Sequence, residues 1–416
     1  MTASQAHPHA PPGTPAATPN AAPPAQPDHA PPGSHARFAA TRFFDNLNGV
    51  RCVAILAVVW HHARGNELRQ LEPGLPRPLL DLLARGFLGV DMFFAISGFL
   101  IVTLLLREGD RTGGINLSKF YARRSLRIFP VYYAFVLGIT AVYALLKPGS
   151  ETTGEIFASL PTVLLYLSNV WVPTAGIFLV TWSLATEEQF YLLWAPAERY
   201  FKRWLLWGVM AAIIAASLAI HTGVFDGAIL RWYAGTGAEH RGGVHLPELF
   251  GTTLLPIAGG VALAHAMHRP DTFRWVARLT AFRFAPAVYA LALLGLIAFH
   301  SGDLRGWSRP TMQVLMLGLL AALLLRDRPA ESPLSRALQW RAVARIGVVS
   351  YGIYLFHIPV ASAINPLTVR FLGGLPMVVV AFLLTAAITW AVAEVSFRFF
   401  EQPILRVKKR FEVRTG

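Results

Sequence analysis

The sequence predicts an all-α protein, a polytopic membrane helix bundle, and its composition is the first reason for this prediction. The chain has 416 residues, of which 54% are hydrophobic and only 14% are charged. A soluble chain carries about 25% charged residues, so the composition excludes a soluble domain. The net charge is +14. The positive residues lie in short loops between apolar runs, which is typical of membrane proteins and argues against a nucleic-acid partner.

Apolar segments long enough to cross a bilayer, which takes about 20 helical residues, are the second reason. Ten such segments occur, at 48–64, 86–106, 128–146, 182–198, 204–221, 249–267, 284–300, 310–325, 345–366 and 376–397. An eleventh run, 156–171, is interrupted by Pro161, Ser168 and Asn169, and we expect it to be a re-entrant or interfacial segment.

The distribution of Lys and Arg is the third reason, and it also sets the orientation. With ten crossings and a cytoplasmic N-terminus, most of the 37 Lys and Arg residues fall on the cytoplasmic side, as the positive-inside rule requires. If the run 156–171 crossed as well, every later loop would be inverted against that rule. We therefore expect about ten transmembrane helices with both termini in the cytoplasm.

The two ends of the chain differ in composition from the membrane segments. Residues 1–36 hold ten of the 29 prolines and no periodic apolar pattern, so we expect a disordered cytoplasmic tail. Residues 406–416 form a basic tail. The single cysteine, Cys52, excludes an intrachain disulfide, and no His, Cys, Asp and Glu residues show metal-ligand spacing, so no metal is expected.

The first span, Leu47–His62, carries an arginine and a histidine in an otherwise apolar helix. An α-helix turns about 100° and rises about 1.5 Å per residue, so His62 lies within roughly 20° of Arg51 and about 16 Å further along the axis. His61 points roughly 80° away from that line. An ionisable residue in a membrane span indicates a functional site that faces a polar cavity. A histidine bonded to a neighbouring helix for packing is the alternative.

The second span has polar residues that contact with lipid does not require. Asp91 lies near its outer end, and Ser97 and Gly98 lie in its middle. A small residue permits close helix packing and a serine can bond across it. A tight helix crossing therefore explains Ser97 and Gly98 as well as contact with a substrate does.

A cytoplasmic run before the third span carries two arginines on one helical face. Arg124 and Arg127 are three residues apart, which places them side by side on a helix. Paired guanidinium groups can hold phosphate oxygens through bidentate hydrogen bonds. Anchoring to anionic lipid headgroups explains them equally well.

Two acidic residues, Glu187 and Glu188, lie just inside the fourth span, beyond Trp182. Carboxylates in an apolar helix are costly unless they have partners. One of them could orient the imidazole of His62 or bind a sugar hydroxyl. The alternative is an acidic helix N-terminus favoured by the macrodipole.

The ninth span contains a histidine in its middle, His357, with Tyr351 and Tyr354 at helical spacings before it and Pro359 after it. Proline opens the helical backbone locally, which is tolerated where a helix lines a cavity. We therefore predict that this part of the ninth span lines the same site.

Together these stretches resemble the acyltransferase-3 family of integral membrane O-acyltransferases. The arginine, ten residues and histidine of that family are matched by Arg51 and His62. The flanking Leu-Asp-Gly-Leu-Arg of the family reads Leu-Asn-Gly-Val-Arg at 47–51, so the usual aspartate is Asn48. The other family motifs are matched by 89–101, by Arg124, Arg127, Ile128 and Pro130, by Trp182, Ser183, Leu184, Glu187, Phe190 and Tyr191, by 350–357, and by Glu401 and Pro403.

The resemblance covers residues 43–405 and implies a function. Members of the family move an acyl group, most often acetyl, from cytoplasmic acyl-coenzyme A to a hydroxyl of a carbohydrate acceptor, such as an envelope glycan or a glycoside. For this chain it implies a multi-pass protein of a bacterial inner membrane, whose partners are acyl-coenzyme A, the acceptor and membrane lipids. We expect a stand-alone form, without the fused extracytoplasmic hydrolase-like domain of longer members.

The resemblance also implies a role for each matched residue. Catalysis is expected of His62, Arg51, Glu187 and Glu188, with His62 acting either as a general base or as a transient acyl carrier. The residues expected to bind the acyl-coenzyme A cofactor are Arg124, Arg127 and Arg51. The residues expected to contact the acceptor are Asp91, Ser97, Trp182, Tyr354 and His357.

Two other function classes compete with this interpretation. A polytopic transporter or flippase could use His62, His357 and the two glutamates as a proton relay. A non-enzymatic scaffold is disfavoured because the spans hold too many ionisable groups. The outer loop 222–248 contains Trp232 and Tyr233, which could stack on a sugar ring, but an interfacial aromatic belt explains them better.

Overall fold

A computed structural model describes residues 31–411 apart from 172, 229–230, 232–252, 301, 303, 305, 329 and 409–410. Throughout the described part the regular structure is helical, without a strand. The predictions for residues 1–30, for the aromatic pair Trp232 and Tyr233, and for 412–416 lie outside the described residues. The first described helix already begins at His35, within the range predicted as a tail.

The α-helices of the described part are numbered here in chain order. They are α1 (His35–Ala40), α2 (Asn46–His62), α3 (Leu68–Leu71), α4 (Arg77–Ala84), α5 (Leu88–Thr112), α6 (Leu117–Leu146), α7 (Glu151–Leu164), α8 (Thr181–Tyr200), α9 (Arg203–His221), α10 (Leu255–His268), α11 (Pro270–Thr280), α12 (Ala285–Phe299), α13 (Ser308–Leu325), α14 (Pro333–Leu338), α15 (Arg341–Val348), α16 (Ser350–Phe371), α17 (Gly374–Ser396) and α18 (Gln402–Lys408).

Each segment predicted to span the membrane overlaps these helices, but 345–366 divides between α15 and α16, residues 249–252 lie outside the described part, and the count of ten is not confirmed. Of the described helices, six are long and apolar enough to cross a bilayer: α5, α6, α9, α13, α16, and α17 with its continuation to Val407. A seventh results if α11 and α12, bent by 65° at their junction, form one span. The helices α2 and α10 have only 17 and 14 residues, and α8 carries several charged residues. The number of crossings and the side of each terminus therefore stay predictions.

The segment predicted to be re-entrant or interfacial is only partly helical. Helix α7 contains Pro161 and ends at Leu164, and an irregular stretch leads on to α8. Tyr166, with φ of 54°, turns the chain so that its ring stacks on Tyr132 of α6 at 4.2 Å between centroids. The segment thus covers α6 from one side, and its depth in the membrane stays a prediction.

Helix α2 is held at its N-terminal end by polar contacts. Its first backbone N–H groups have no partner within the helix, and the carboxylate of Asp327 accepts from the backbone N–H groups of Asp45 and Asn46 at 2.9 and 2.8 Å. The Asn46 amide donates to the carbonyl oxygen of Leu323 and to Ser335 Oγ. These contacts fix where Arg51 and His62 lie along the helix axis.

Close helix crossings at glycines bring the site helices together. A Cβ at Gly98 of α5 would overlap the backbone of α10, and a Cβ at Gly260 of α10 would overlap the backbone of α5. A Cβ at Gly347 of α15 would overlap the carbonyl oxygen of Asn48 on α2. A tight crossing is therefore what Gly98 provides, while its neighbour Ser97 faces the other way, into the site.

Candidate active site

A cavity of about 120 Å³ lies where α2, α5, α6, α8 and α16 meet. These are the helices that carry the polar stretches singled out in the sequence. The cavity is lined by Arg51, Val90, Phe93, Phe94, Ser97, Arg124, Arg127, Ile128, Ser183, Leu184, Glu187, Ser350, Tyr351 and Tyr354. Residues separated by some 300 positions in the chain thus form one polar site inside an apolar bundle.

Arg124 is held at one end of this cavity by two carboxylates. Its guanidinium lies 3.9 Å from Glu187 Oε2 and 3.5 Å from Glu188 Oε1, and its Cζ lies 3.7 Å from the centre of the Tyr191 ring. Arg124 follows the start of α6 by seven residues, which is roughly 10 Å of helix. Its side chain is partly buried, 17% exposed, and is paired with both carboxylates; its predicted place at the cytoplasmic surface stays a prediction.

The two glutamates contact Arg124 and not the imidazole of His62. Glu187 also accepts a hydrogen bond from Ser97 Oγ at 2.8 Å through its Oε1, so both of its oxygens have partners. No described hydrogen bond joins Glu187 or Glu188 to His62. We expected a carboxylate to orient that imidazole, and no contact between the described residues supports this role.

Arg51 and Arg127 line the same cavity without an acidic partner. Among the described residues, Arg51 donates only to Asn48 Oδ1, at 3.4 Å, and that oxygen belongs to a neutral amide. Arg127 is exposed and forms no ion pair or hydrogen bond with any described residue; Glu401 attracts it only from beyond ion-pair distance. Two guanidinium groups without an ion-pair partner among the described residues lie in one cavity, an arrangement that favours an anion.

The two histidines predicted to share the site are in contact with each other. His62 Nδ1 lies 3.0 Å from the carbonyl oxygen of Val58 and 3.3 Å from His357 Nε2. His357 is fully buried, and its Nδ1 lies 2.7 Å from the carbonyl oxygen of Tyr354. His61 points elsewhere, with its Nδ1 3.1 Å from the carbonyl oxygen of Ala84, as the rotation of the helix requires.

A tyrosine separates the cavity from the histidine pair. The hydroxyl of Tyr354 lies 2.6 Å from Ser183 Oγ, and its ring packs between Phe93 and His357. His62 is not among the residues that line the cavity. The continuous channel expected from Arg51 to His62 is therefore not part of this cavity; Tyr354 lines its wall and contacts His357.

Comparison with known proteins identifies the fold family. The model of a family described as an acyltransferase domain matches residues 44–394. The chain belongs to the acyltransferase-3 family. The five helices around the cavity all lie within the matched range, so the cavity is part of the family domain.

Curated relatives share a named activity. The O-acetyltransferase OatA of Staphylococcus aureus strain NCTC 8325 is 26% identical over 380 residues, which cover 87% of this chain and 57% of that protein. A second S. aureus protein, from strain COL and provisionally named O-acetyltransferase SACOL0978, is 27% identical over 399 residues, covering 88% and 58%. The chain thus spans a little over half the length of these relatives. No solved structure matches it significantly.

Three of the five residues expected to contact the acceptor do not line the cavity: Asp91, Trp182 and His357. The buried carboxylate of Asp91 accepts from Arg309 Nε and Nη2 at 3.0 and 2.8 Å and from Gln313 Nε2 at 2.8 Å. These three bonds join α5 to α13 and leave Asp91 little capacity for a ligand. Trp182 packs its ring near that of Phe94 and does not line the cavity.

Other residues of the family motifs do line the cavity but were not given a role from the sequence. Ser183 and Ser350 contribute hydroxyl groups to its wall, as does Tyr351. They stand next to residues that were singled out, and helical spacing would have placed Ser183 and Glu187 on one face. Asn365, whose amide lies 3.3 Å from the carbonyl oxygen of His62, gave no signal in the sequence.

Proposed function

We propose that this protein is a membrane O-acetyltransferase that moves an acetyl group from acetyl-coenzyme A to a hydroxyl group of a carbohydrate acceptor. The observation that carries the proposal is a cavity lined by two guanidinium groups without ion-pair partners among the described residues, with a pair of histidines in mutual contact behind Tyr354. Membership of the acyltransferase-3 family supports the acyl transfer. The names of the O-acetyltransferase relatives support acetyl as the group and oxygen as its destination.

Arg51 and Arg127 would bind the phosphates of acetyl-coenzyme A. Their charges are not balanced by acidic partners, and planar guanidinium groups match phosphate oxygens through paired hydrogen bonds. Arg124 contributes indirectly, because it holds Glu187 and Glu188 in place. The pantetheine arm would then extend along the cavity toward Tyr354, whose side chain has to turn aside for the thioester to reach His62.

His62 would carry the chemistry in one of two ways. As a general base it takes the proton of the acceptor hydroxyl while the oxygen attacks the thioester carbonyl. The carbon–sulfur bond then breaks, and the thiolate of coenzyme A takes that proton back from the imidazolium. As an acyl carrier the imidazole attacks the thioester first, and the carbon–sulfur bond breaks to release the thiolate of coenzyme A. The acceptor hydroxyl then attacks the acetyl-imidazolium, the bond from nitrogen to the acetyl carbon breaks, and the hydroxyl proton goes to the thiolate. Both routes end with an ester and coenzyme A thiol, without net proton release.

A carbohydrate acceptor, either an envelope glycan or a small glycoside, is proposed from the family resemblance. With the orientation expected from the loop charges, acetyl-coenzyme A enters from the cytoplasm and the acceptor reaches His62 from the other side of a bacterial inner membrane. Integral membrane placement is supported by the six long apolar helices of the described part.

A transporter with a proton relay is the competing function, and the geometry gives it little support. Such a relay needs a chain of titratable groups across the bundle. The histidines contact each other, but Glu187 and Glu188 are directed to Arg124. The relay proposed from the sequence is therefore not contiguous.

The proposal is tested with membranes that contain the full-length protein or its His62→Ala variant. Both are incubated with coenzyme A carrying a labelled acetyl group, and extracted glycans and glycosides are analysed by mass spectrometry. We expect a covalent acetyl increment with the wild type and none with the variant at equal protein level. Uptake of an unmodified glycoside with no labelled ester would refute the proposal and favour the transporter.

A further inference from the structure

The hydrogen bonds around the histidine pair determine which ring nitrogens carry hydrogen. His357 Nδ1 lies 2.7 Å from the carbonyl oxygen of Tyr354. A carbonyl oxygen only accepts, so His357 Nδ1 is the donor. In a neutral imidazole the other nitrogen is then an acceptor, which leaves His357 Nε2 with a free lone pair.

That lone pair is directed at His62. His357 Nε2 lies 3.3 Å from His62 Nδ1, so His62 Nδ1 must carry the hydrogen that the contact shares. The carbonyl oxygen of Val58, 3.0 Å from the same nitrogen, demands a donor there as well. Two independent acceptors thus place the hydrogen of His62 on Nδ1 and leave Nε2 unprotonated.

A doubly protonated His357 would reverse this assignment, but its surroundings disfavour the charge. The side chain is fully buried, and no carboxylate of the described residues forms an ion pair with it. A buried charge without a partner is costly. The neutral pair, with one hydrogen on each Nδ1, is the arrangement that satisfies every contact around it.

We propose that His357 is a positioning residue that fixes His62 in the tautomer whose Nε2 is free to react. The proposal rests on the proposed function, in which His62 acts as base or acyl carrier, and it assigns the reactive atom in either case. Which nitrogen of a histidine is protonated is set by the hydrogen bond that the other one makes. Here the partner is a second histidine, itself set by a backbone carbonyl.

The carbonyl oxygen of Val58 alone is a weak determinant. It lies four residues before His62 in the same helix and therefore also accepts the backbone N–H of His62. His357 comes from α16, a separate helix, and supplies the second point that holds the plane of the imidazole ring. Without it, the ring can rotate and populate both tautomers.

Two substitutions at position 357 separate positioning from packing. In His357→Gln the side-chain oxygen can reach the place of Nε2 and accept from His62. In His357→Asn the shorter amide reaches only the place of Nδ1, so it keeps the contact with Tyr354 and loses the contact with His62. The transfer rate and the KM for acetyl-coenzyme A are measured for the full-length protein in liposomes.

We expect His357→Asn to lower kcat roughly 100-fold or more, within the range of a lost general base. The KM for acetyl-coenzyme A should change by less than about twofold, because binding of the donor at Arg51 and Arg127 is not altered. His357→Gln should keep kcat within about tenfold of the wild type.

A spectroscopic measurement reads the tautomer directly. In protein labelled with ¹⁵N-histidine and assigned with His62→Ala, the ¹⁵N shifts should show His62 protonated at Nδ1 in the wild type and in His357→Gln, and a tautomer mixture in His357→Asn. The proposal would be overturned if both variants kept the wild-type kcat and the wild-type ¹⁵N shifts. It would also be overturned if both variants lost kcat equally and had a lowered unfolding temperature. In either case an inactive His62→Ala would leave the proposed function intact, whereas an active one would refute that function itself.

Discussion

The two ends of the site differ in how their polar groups are balanced. At the arginine end three guanidinium groups face two carboxylates, and the carboxylates are directed to Arg124. At the histidine end no described carboxylate takes part, and two imidazole rings contact each other and backbone carbonyls. One end thus keeps positive charge available for an anion, and the other keeps an imidazole uncharged.

This difference shows how one apolar bundle can hold two kinds of chemistry. A fixed cation binds a phosphate best when its charge is not already paired. A base or nucleophile works only while its nitrogen is unprotonated. The ring of Tyr354 lies between the two ends, so it separates the positive cavity from the imidazoles. The predictions below change one end at a time.

The largest effect is expected at the histidine end, from His62→Ala. Removal of the proposed reacting group should reduce transfer by roughly 10³-fold or more. The matched control is His61→Ala, one residue away, which removes a contact with the carbonyl oxygen of Ala84 and should cost less than about tenfold. The rates are measured with labelled acetyl-coenzyme A at equal protein level. Equal losses in the two variants would contradict the assignment of the reacting group to His62.

The next largest effect concerns stability at the arginine end. Arg124→Ala leaves two partly buried carboxylates without their cationic partner. Breaking a fully buried ion pair costs about 3–5 kcal/mol, and the cost here should be smaller because both carboxylates are partly exposed and Glu187 keeps its bond from Ser97. The unfolding temperature of the purified protein should fall clearly. The loss in unfolding temperature should be partly reversed when Glu187→Gln and Glu188→Gln are added, because these substitutions remove the unpaired charges.

The control for this experiment is Arg111→Ala, whose exposed side chain donates only to a backbone carbonyl. Its unfolding temperature should stay close to that of the wild type. If Arg124→Ala were as stable as Arg111→Ala, the two glutamates would not be balanced by Arg124.

A smaller effect, on donor binding, is expected from Arg51→Gln and Arg127→Gln. A hydrogen bond to a charged group is worth about 1.5–3 kcal/mol, so each variant should raise the KM for acetyl-coenzyme A by roughly tenfold or more. An acetyl thioester without phosphates should react with wild type and variants at similar rates. Arg123→Gln, which removes a pair with Glu108 outside the cavity, is the control. Equal losses with both donors would show that these arginines do not bind phosphate.

The sequence predicted which stretches meet but not how their charges pair. Helical spacing determines which side chains share a face, and it predicted that His61 points away from His62, as its contact with Ala84 confirms. That Arg51, His62 and His357 act in one site stays a prediction. The pairing of Arg124 with Glu187 and Glu188 depends on how deeply α6 and α8 overlap along their axes. Loop charges give only the side on which a helix begins, so this overlap could not be read from them.

Asp91 is a second charged residue whose partners could not be predicted from the sequence. Its position near the end of an apolar helix indicated a functional group, but its partners Arg309 and Gln313 lie more than 200 residues later. In the sequence, a buried carboxylate that pairs with an arginine cannot be distinguished from a buried carboxylate that binds a ligand. Only the packing of α5 against α13 separates the two cases.

The smallest effect is expected from Asn48→Asp, which introduces the carboxylate that the family motif usually has three residues before Arg51. In this chain the contact is a 3.4 Å bond to a neutral amide, so a carboxylate would balance part of the charge on Arg51. A partly exposed ion pair is worth about 0.2–1 kcal/mol, and the KM for acetyl-coenzyme A should rise by about two- to fivefold. Asn48→Ala, which removes the bond without adding charge, should leave KM unchanged. If the aspartate variant also left KM unchanged, Arg51 would not contribute its charge to donor binding, and the anion site would reduce to Arg127.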